Sequence, residues 1–241
     1  MIVELIDHMG SDLSVVNAAR TSFGKESKEF SEKDARLVKY LAREKHLLPF
    51  RHPQVTLRLK IPIFVARQLG KHQTGMSWSE DSRRYIDSEP EFYFPDKWRK
   101  RAGNVTQGSS TEAVTDMTVA IGWRKACSPE QIDTCPPELH IRNAFESGRN
   151  PDTEYRYFLV QSLHLYQDML DSGVAPEQAR MVLPQSMYTT CVWTGSLLSF
   201  VHVIHERTTA GTQKETRDVA LQIKDILTQL YPVSMEALLG E

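Results

Sequence analysis

The amino-acid sequence predicts an α/β protein, because strand-like and helix-like patterns both recur along its 241 residues. Residues 55–60 alternate apolar and polar side chains with a period of two, and residues 2–7 alternate loosely, so both stretches are strand-like. Residues 31–44 and 151–173 instead place apolar side chains three and four positions apart, the spacing of an amphipathic helix. A chain of this length is long enough to bury a full core as one domain.

Two helices are predicted after the first strand. DLSVVNAARTSF at residues 12–23 indicates a short helix, which Asp12 caps, followed by a loop. The next helix, residues 31–44, begins with Ser31 and has Asp34 three residues later, which is a capping-box pattern.

The second strand leads directly into another predicted helix, since VTLRLK at residues 55–60 is followed closely by Pro62. Proline suits the first turn of a helix, where its missing N–H would have no partner. The apolar residues 63–65 indicate that this end of the helix is part of the core.

A polar cluster follows the apolar start of that helix. Cations, amides, hydroxyls and a carboxylate crowd together there: Arg67, Gln68, Lys71, His72, Gln73, Ser77, Ser79, Glu80, Ser82, Arg83, Arg84 and Tyr85. Charge-assisted donors of this kind bind phosphate, so the cluster is a candidate site for an anionic ligand. The alternative is a solvated helix face, in which Ser77 and Glu80 form a capping box.

The C-terminal half begins with the long helix at residues 151–173, whose aromatic stripe we interpret as core or subunit interface. Residues 187–193 predict a strand and residues 196–206 a helix with one apolar face. Thr212 and Glu215 have the spacing of another capping box.

Composition argues against several protein classes. A net charge of -2 argues against a nonspecific nucleic-acid binder, which needs an excess of cations over a broad face. No apolar run approaches the roughly 20 residues of a membrane-spanning helix, and no signal peptide is evident, so we expect a cytoplasmic protein without a membrane partner. Cys127, Cys135 and Cys191 form no CxxC pair, so we expect no disulfide framework and no metal site. A nucleophilic role for Cys191 stays open as an alternative.

The polar cluster resembles the signature of the flavin-dependent thymidylate synthases. Its order is K-H-Q, a serine, then S-E-x-S-x-R-Y. The family signature is usually written R-H-R followed by S-x-N-E-x-S-x-R-Y. Lys71 and Gln73 replace the two arginines and Ser79 replaces the asparagine, while one additional residue is assigned to Met76.

Two N-terminal segments resemble the same family. V-x-x-A-A-R-x-S-F, which contains Ser22, is similar to a segment that approaches the flavin. HLLPFRH is similar to H-x-T-P-F-E-H, in which the first histidine, here His46, contacts flavin. Leu48 and Arg51 stand in place of the threonine and the glutamate of that motif.

The C-terminal half carries further family motifs. A-R-x-V-L-P contains Arg180, and Arg207 ends the segment S-F-V-H-V-I-H-E-R. Ser196 and His202 stand where asparagines that touch flavin and nucleotide are usual. The closing Q-x-E-x-R of the family is matched by Gln213, Glu215 and Arg217.

The resemblance implies a fold and an assembly. Family members form one α/β domain, here residues 1–241, with a mixed sheet surrounded by helices, and they assemble as homotetramers whose active sites borrow residues from several subunits. Residues 96–150 match the family poorly and are interpreted as a solvated, family-variable insertion. They include a small basic cluster, Lys97, Arg99, Lys100 and Arg101.

The resemblance also implies a reaction, the reductive methylation of dUMP to dTMP. Methylenetetrahydrofolate supplies the carbon, and FAD reduced by NADPH supplies the hydride. The implied dUMP contacts are Gln68, Lys71, Glu80, Ser82, Arg84, Arg180 and Arg207, of which Arg207 is also catalytic. The implied FAD contacts are Ser22, His46, Lys71, His72, Gln73, Glu80, Ser196 and His202.

Two alternatives accompany this interpretation. One is a dUMP hydroxymethylase of the same fold, in which water rather than hydride completes the reaction. The other is a nonenzymatic nucleotide-binding relative. The family chemistry requires no cysteine nucleophile, because flavin and polarisation of the base activate the reactants.

Overall fold

The computed structural model of the protein describes residues 1–86, 88–103, 109–115, 117–120 and 146–240. The strands are β1 (Ile2–Met9), β2 (Gln54–Pro62), β3 (Met76–Glu80), β4 (Arg99–Arg101), β5 (Ser109–Ala113), β6 (Met117–Ala120), β7 (Glu146–Arg149) and β8 (Tyr188–Ser196). The helices are α1 (Asp12–Arg20), α2 (Glu32–Arg43), α3 (Ile63–Leu69), α4 (Pro151–Asp171), α5 (Pro176–Ala179), α6 (Leu197–Arg207), α7 (Lys214–Leu230) and α8 (Pro232–Leu239).

The central sheet has the strand order β1-β2-β8-β3, which, with the helices around it, confirms the predicted α/β class. The resemblance implied a mixed sheet, whereas every hydrogen-bonded pair among these four strands is antiparallel. β2 and β3 run parallel to each other because both are antiparallel to β8. Since β8 lies between them, this parallel relation involves no shared hydrogen bonds.

One face of this sheet forms the core together with the helices. Val55, Leu57, Leu59 and Ile61 are fully buried at alternate positions of β2. Helices α6 and α7 add buried side chains to the same cluster: Leu197, Phe200, Val203, Ile204, Val219, Ile223 and Leu227. Each such burial contributes about 1.5–3 kcal/mol. This core fixes the ends of β2 and β8, and therefore the starts of α3 and α6.

The helix caps agree with the sequence in one case and differ in another. Ser31 and Asp34 form the predicted capping box at the start of α2. Helix α1 is capped by Ser11 rather than by Asp12. The Asp12 carboxylate instead accepts hydrogen bonds from the start of α8, including the backbone N–H and the hydroxyl of Ser234. A carboxylate is stabilised there by the unpaired N–H groups of a helix N-terminus.

Helix α3 is shorter than its polar continuation suggested. Pro62 ends β2 and precedes the first helical residue, and α3 ends at Leu69. The polar residues beyond it lie in a loop, in β3 and in the turn that follows β3. Ser77 and Glu80 are therefore strand residues and form no capping box.

The capping box considered for Thr212 and Glu215 is also absent. Helix α7 has Gln213 at its N-cap position, one residue later than that pattern required. The Thr212 hydroxyl donates to the carbonyl of Glu206 at 3.2 Å, which closes the turn between α6 and α7 instead.

Helix α4 is only partly covered by this chain. Leu159, Ser162 and Tyr166 are buried, whereas the side chains of Phe158 and Leu165 are about half exposed. The subunit-interface interpretation of this stripe stays a prediction. The solvated insertion and the single domain also stay predictions, since residues 104–108, 116 and 121–145 lie outside the described part. Within the described part, no helix is long and apolar enough to cross a membrane.

Candidate active site

The K-H-Q segment forms a tight loop between α3 and β3. The N–H of His72 donates to the carbonyl of Leu69 at 3.0 Å, and the N–H of Met76 donates to the carbonyl of Gln73 at 3.1 Å. Gly75 has a φ of 69°, which favours glycine at this turn. The loop is tied to α6, because the Ser199 hydroxyl donates to the carbonyl of Thr74 at 3.2 Å.

Arg207 and His72 meet where α6 ends. Nε of Arg207 donates to Nε2 of His72 at 2.8 Å. Because Nε2 accepts this hydrogen bond, it is unprotonated, and Nδ1 carries the imidazole proton. Burial lowers the pKa of His72, and the nearby charges of Arg207 and His202 lower it further. The rings of His72 and His202 lie 5.8 Å apart, edge to face. A neutral His72 thus holds the Arg207 guanidinium in a fixed direction.

Gln68 connects this pair to α7. Its carbonyl accepts a 3.5 Å hydrogen bond from Arg207. Its side-chain amide donates to Gln213 at 2.5 Å and accepts from the Thr216 hydroxyl at 3.0 Å. Gln213 in turn donates to Glu215 at 3.0 Å. The two motifs that the sequence predicted to share a site are therefore joined by side-chain contacts.

Arg99 differs from the solvated surface expected of the basic cluster at residues 97–101, because its side chain is mostly buried. Its guanidinium pairs with Glu215 at 2.8 Å, and the two side chains are 16% and 3% exposed. Tyr93 donates a second hydrogen bond to Glu215 at 3.2 Å. Burial by itself raises the pKa of Glu215, but hydrogen bonds from Arg99 and Gln213 outweigh burial and the pKa is lowered.

A second cluster contains Ser82, Arg84 and Arg180. Nε of Arg84 donates to the Ser82 hydroxyl at 3.1 Å, and Nη1 of Arg180 lies 3.4 Å from the same oxygen. Neither guanidinium forms an ion pair with an acid in the described ranges, and both side chains are exposed. Two unpaired guanidinium groups beside one hydroxyl suit a phosphate.

Two cavities flank the K-H-Q loop, and Lys71, His72 and Gln73 line both. The larger, about 890 Å³, is also lined by Arg67, Trp78 and Glu80. Glu80 is fixed there by the Thr189 hydroxyl at 2.9 Å and by the Trp78 indole at 3.1 Å.

The other cavity, about 750 Å³, lies between the loop, α6 and α8. Five of the predicted flavin contacts line it: Lys71, His72, Gln73, Ser196 and His202. One wall is apolar, formed by Ala42, Leu47, Leu198, Val201, Ala237 and Leu238. No Asp or Glu of the described residues lines it. This size and lining fit a flavin nucleotide, which needs an apolar surface for its ring and donors for its phosphates.

The predicted flavin contacts do not all line the same cavity of this chain. Ser22 and His46 line a separate cavity of about 570 Å³, beside Leu48. The flavin-type cavity also includes residues that the family motifs did not assign, namely Arg51, Gln54, Ser199 and His205. For Arg51, the sequence signal was the replacement of the family's glutamate by arginine in HLLPFRH.

Comparison with known proteins identifies the family. A family model described as "Thymidylate synthase complementing protein" matches residues 4–233. The flavin-dependent thymidylate synthase of Thermosipho africanus is 35% identical over 237 residues, which are 98% of this chain and 90% of that protein. The chain belongs to the flavin-dependent thymidylate synthase family. The enzyme of the same name from Anaplasma marginale is 35% identical over 233 residues, covering 96% of this chain and 69% of the relative.

Solved structures agree with this membership. A crystal structure of the UMP/dUMP methylase PolB from Streptomyces cacaoi, bound with 5-Br dUMP, has a TM-score of 0.72 and 28% identity. The alignment covers 99% of this chain and 94% of that one. The same methylase bound with 5-Br UMP gives the same score and identity. The predicted family is confirmed.

Proposed function

We propose that this member of the family converts dUMP to dTMP, with methylenetetrahydrofolate as carbon donor and with FAD, reduced by NADPH, as hydride source. One observation carries the proposal. The cavity that suits a flavin is lined by His72, whose imidazole holds Arg207, the residue expected against the pyrimidine. Flavin and base would thereby both lie close to the His72 side chain.

The bound flavin would supply hydride transfer, and the protein's own groups would orient the reactants. Arg207 would stabilise the negative charge that develops on the pyrimidine during methylation. Neutral His72 sets the direction of that guanidinium, while Gln68 fixes its position from α3. Lys71, Gln73, Ser196 and His202 would contact the flavin.

Ser82, Arg84 and Arg180 would bind the dUMP phosphate. Ser22, His46 and Glu80 line other cavities of this chain. The predicted homotetramer would bring such groups from neighbouring subunits to one site. Assembly as a tetramer and a cytoplasmic location remain predictions.

The assay that tests this function uses purified protein, FAD, NADPH and methylenetetrahydrofolate under anaerobic conditions, with the nucleotide product identified by mass. We expect dTMP from dUMP. UMP is assayed alongside, because the solved relative PolB is named a UMP/dUMP methylase. A dominant 5-hydroxymethyl product would replace the synthase with the hydroxymethylase alternative, and the absence of dUMP-dependent NADPH oxidation would favour the nonenzymatic alternative.

Two variants locate the nucleotide. Arg207→Ala and Arg84→Ala should each abolish turnover without unfolding the protein, since loss of a partner to a bound anion costs about 2–5 kcal/mol. Arg36→Ala, on the exposed face of α2, is the matched control. If both site variants turn over like this control, the nucleotide lies elsewhere.

A further inference from the structure

Arg51 faces the same 750 Å³ cavity as the K-H-Q loop, although the family motif has a glutamate at this position. It ends the short turn Leu48–Arg51, which precedes β2. Its guanidinium has no ion-pair partner or hydrogen-bond acceptor among the residues described. The side chain is therefore free to bind a ligand.

The charge pattern around this cavity indicates what that ligand carries. The cations on its wall are Arg51 and Lys71, and no described carboxylate lines it. Gln73, which also lines the cavity, stands in place of a signature arginine. The cavity thus lacks a guanidinium at position 73 and has an additional one at position 51.

We infer that Arg51 binds the phosphates of the flavin nucleotide and replaces the guanidinium that is absent at position 73. This inference rests on the proposed flavin-dependent function. A guanidinium offers forked donors that match a diphosphate, which an ammonium such as that of Lys71 does not. The apolar wall formed by residues such as Leu198 and Leu238 leaves the flavin ring a separate surface.

Flavin binding, measured without turnover, tests the inference. The probes are FAD and riboflavin, whose ring is the same but which carries no phosphate, titrated against flavin fluorescence at several salt concentrations. Arg51→Glu should weaken FAD binding by about 10- to 100-fold, the effect of a lost charge-assisted contact. Riboflavin binding should stay unchanged. The FAD affinity of Arg51→Lys should lie between those of the parent and of Arg51→Glu. The dependence of FAD affinity on salt should be weaker in Arg51→Glu than in the parent.

A charge exchange provides the second measurement. In Arg51→Glu with Gln73→Arg, the guanidinium returns to the family position, and FAD affinity should recover to within about tenfold of the parent. Arg36→Glu on α2 is the control for charge reversal at a site outside the cavity. If Arg51→Glu does not fold, Arg51→Gln is used in its place.

The outcomes separate this inference from the proposed function. If the parent binds no flavin, the proposed function itself fails. If the parent binds FAD and the Arg51 variants bind it equally well, the inference alone is overturned. Equal losses for FAD and riboflavin would also overturn it, because they indicate a structural role. A change confined to the KM of NADPH or of methylenetetrahydrofolate would overturn the flavin assignment by placing the anion on a co-substrate.

Discussion

Arg207 donates its Nε–H to Nε2 of His72 across 2.8 Å, a contact that exists while the imidazole is neutral. The pKa of His72 is lowered by burial, by Arg207 and by His202. The unfolded chain, with a histidine pKa of about 6.5, thus binds this proton more readily than the native chain. The unfolding free energy should fall as the pH drops below about 6.5 and through the native pKa of His72.

Activity should follow the same titration. Protonated His72 cannot accept from Arg207, so kcat/KM for dUMP should fall by about tenfold as the pH drops through the native pKa of His72, the effect of about 1.4 kcal/mol. NMR titration of the His72 ring locates that pKa. In His72→Gln the amide oxygen accepts without titrating, so this acidic limb should disappear. An identical limb in His72→Gln would assign the titration to another group.

The sequence indicated which residues belong to the candidate active site, but it did not indicate which of their side chains contact one another. His72 and Arg207 were both assigned, but 135 residues separate them, and no local pattern predicts a hydrogen bond over that distance. Strand β2 was predictable because burial on one face imposes period two on residues such as Leu57 and Leu59, whereas β3 was not predicted. Arg99 was misassigned, because a basic run in a loop-like segment resembles a solvated surface until its distant acid is known.

The buried pair of Arg99 and Glu215 should support both stability and nucleotide binding. Arg99→Met leaves a carboxylate that is 3% exposed without its partner, which costs up to about 3–5 kcal/mol. Because Glu215 also holds Gln213, which contacts Gln68, the KM for dUMP should rise. Thermal unfolding and steady-state kinetics measure the two effects. Arg101→Met, at an exposed position of the same strand, is the control, and equal behaviour of the two variants would contradict this role.

Asp12 should stabilise the C-terminal helix. Its carboxylate accepts from the N–H groups of Val233 and Ser234 at 3.0 and 2.9 Å, and the residue is 7% exposed. Asp12→Asn replaces one acceptor oxygen by a donor facing these N–H groups, so the unfolding free energy should fall by about 1–3 kcal/mol. Calorimetry checks this against Asp225→Asn, an exposed change on α7. A melting temperature equal to that of the control would contradict the cap.

Cys191 should be dispensable for catalysis. Burial, followed by the charges of Glu80 and Asp81, raises the pKa of its thiol to about 12, so a thiolate is scarce at neutral pH. Its sulfur lies 3.7 Å from the carbonyl of Leu59 in the core. Cys191→Ala, alone or combined with changes at Cys127 and Cys135 outside the described residues, should keep activity within about tenfold. A folded but inactive variant would revive covalent catalysis.

Met76 on β3 and Gly195 on β8 lie directly opposite each other in the antiparallel strand pair. A Cβ atom added at Gly195 would collide with Sδ of Met76 and would lie 3.3 Å from the carbonyl of Gly75. Met76 is the residue assigned as additional in the signature, and it lines both cavities beside the K-H-Q loop. The absence of a side chain at Gly195 therefore lets the loop pack closely on the sheet.

Gly195→Ala should displace Met76 and shift this loop. Overpacking of this kind costs about 1–3 kcal/mol, and FAD affinity and kcat should both fall because Lys71 and His72 move with the loop. Adding Met76→Ala removes the collision, so the double variant should regain most of the lost affinity, and the difference measures the coupling. Gly211→Ala, where no atom lies within 4 Å of the added Cβ, is the control. If Gly195→Ala binds FAD as tightly as Gly211→Ala, the packing of Met76 on Gly195 does not position the loop.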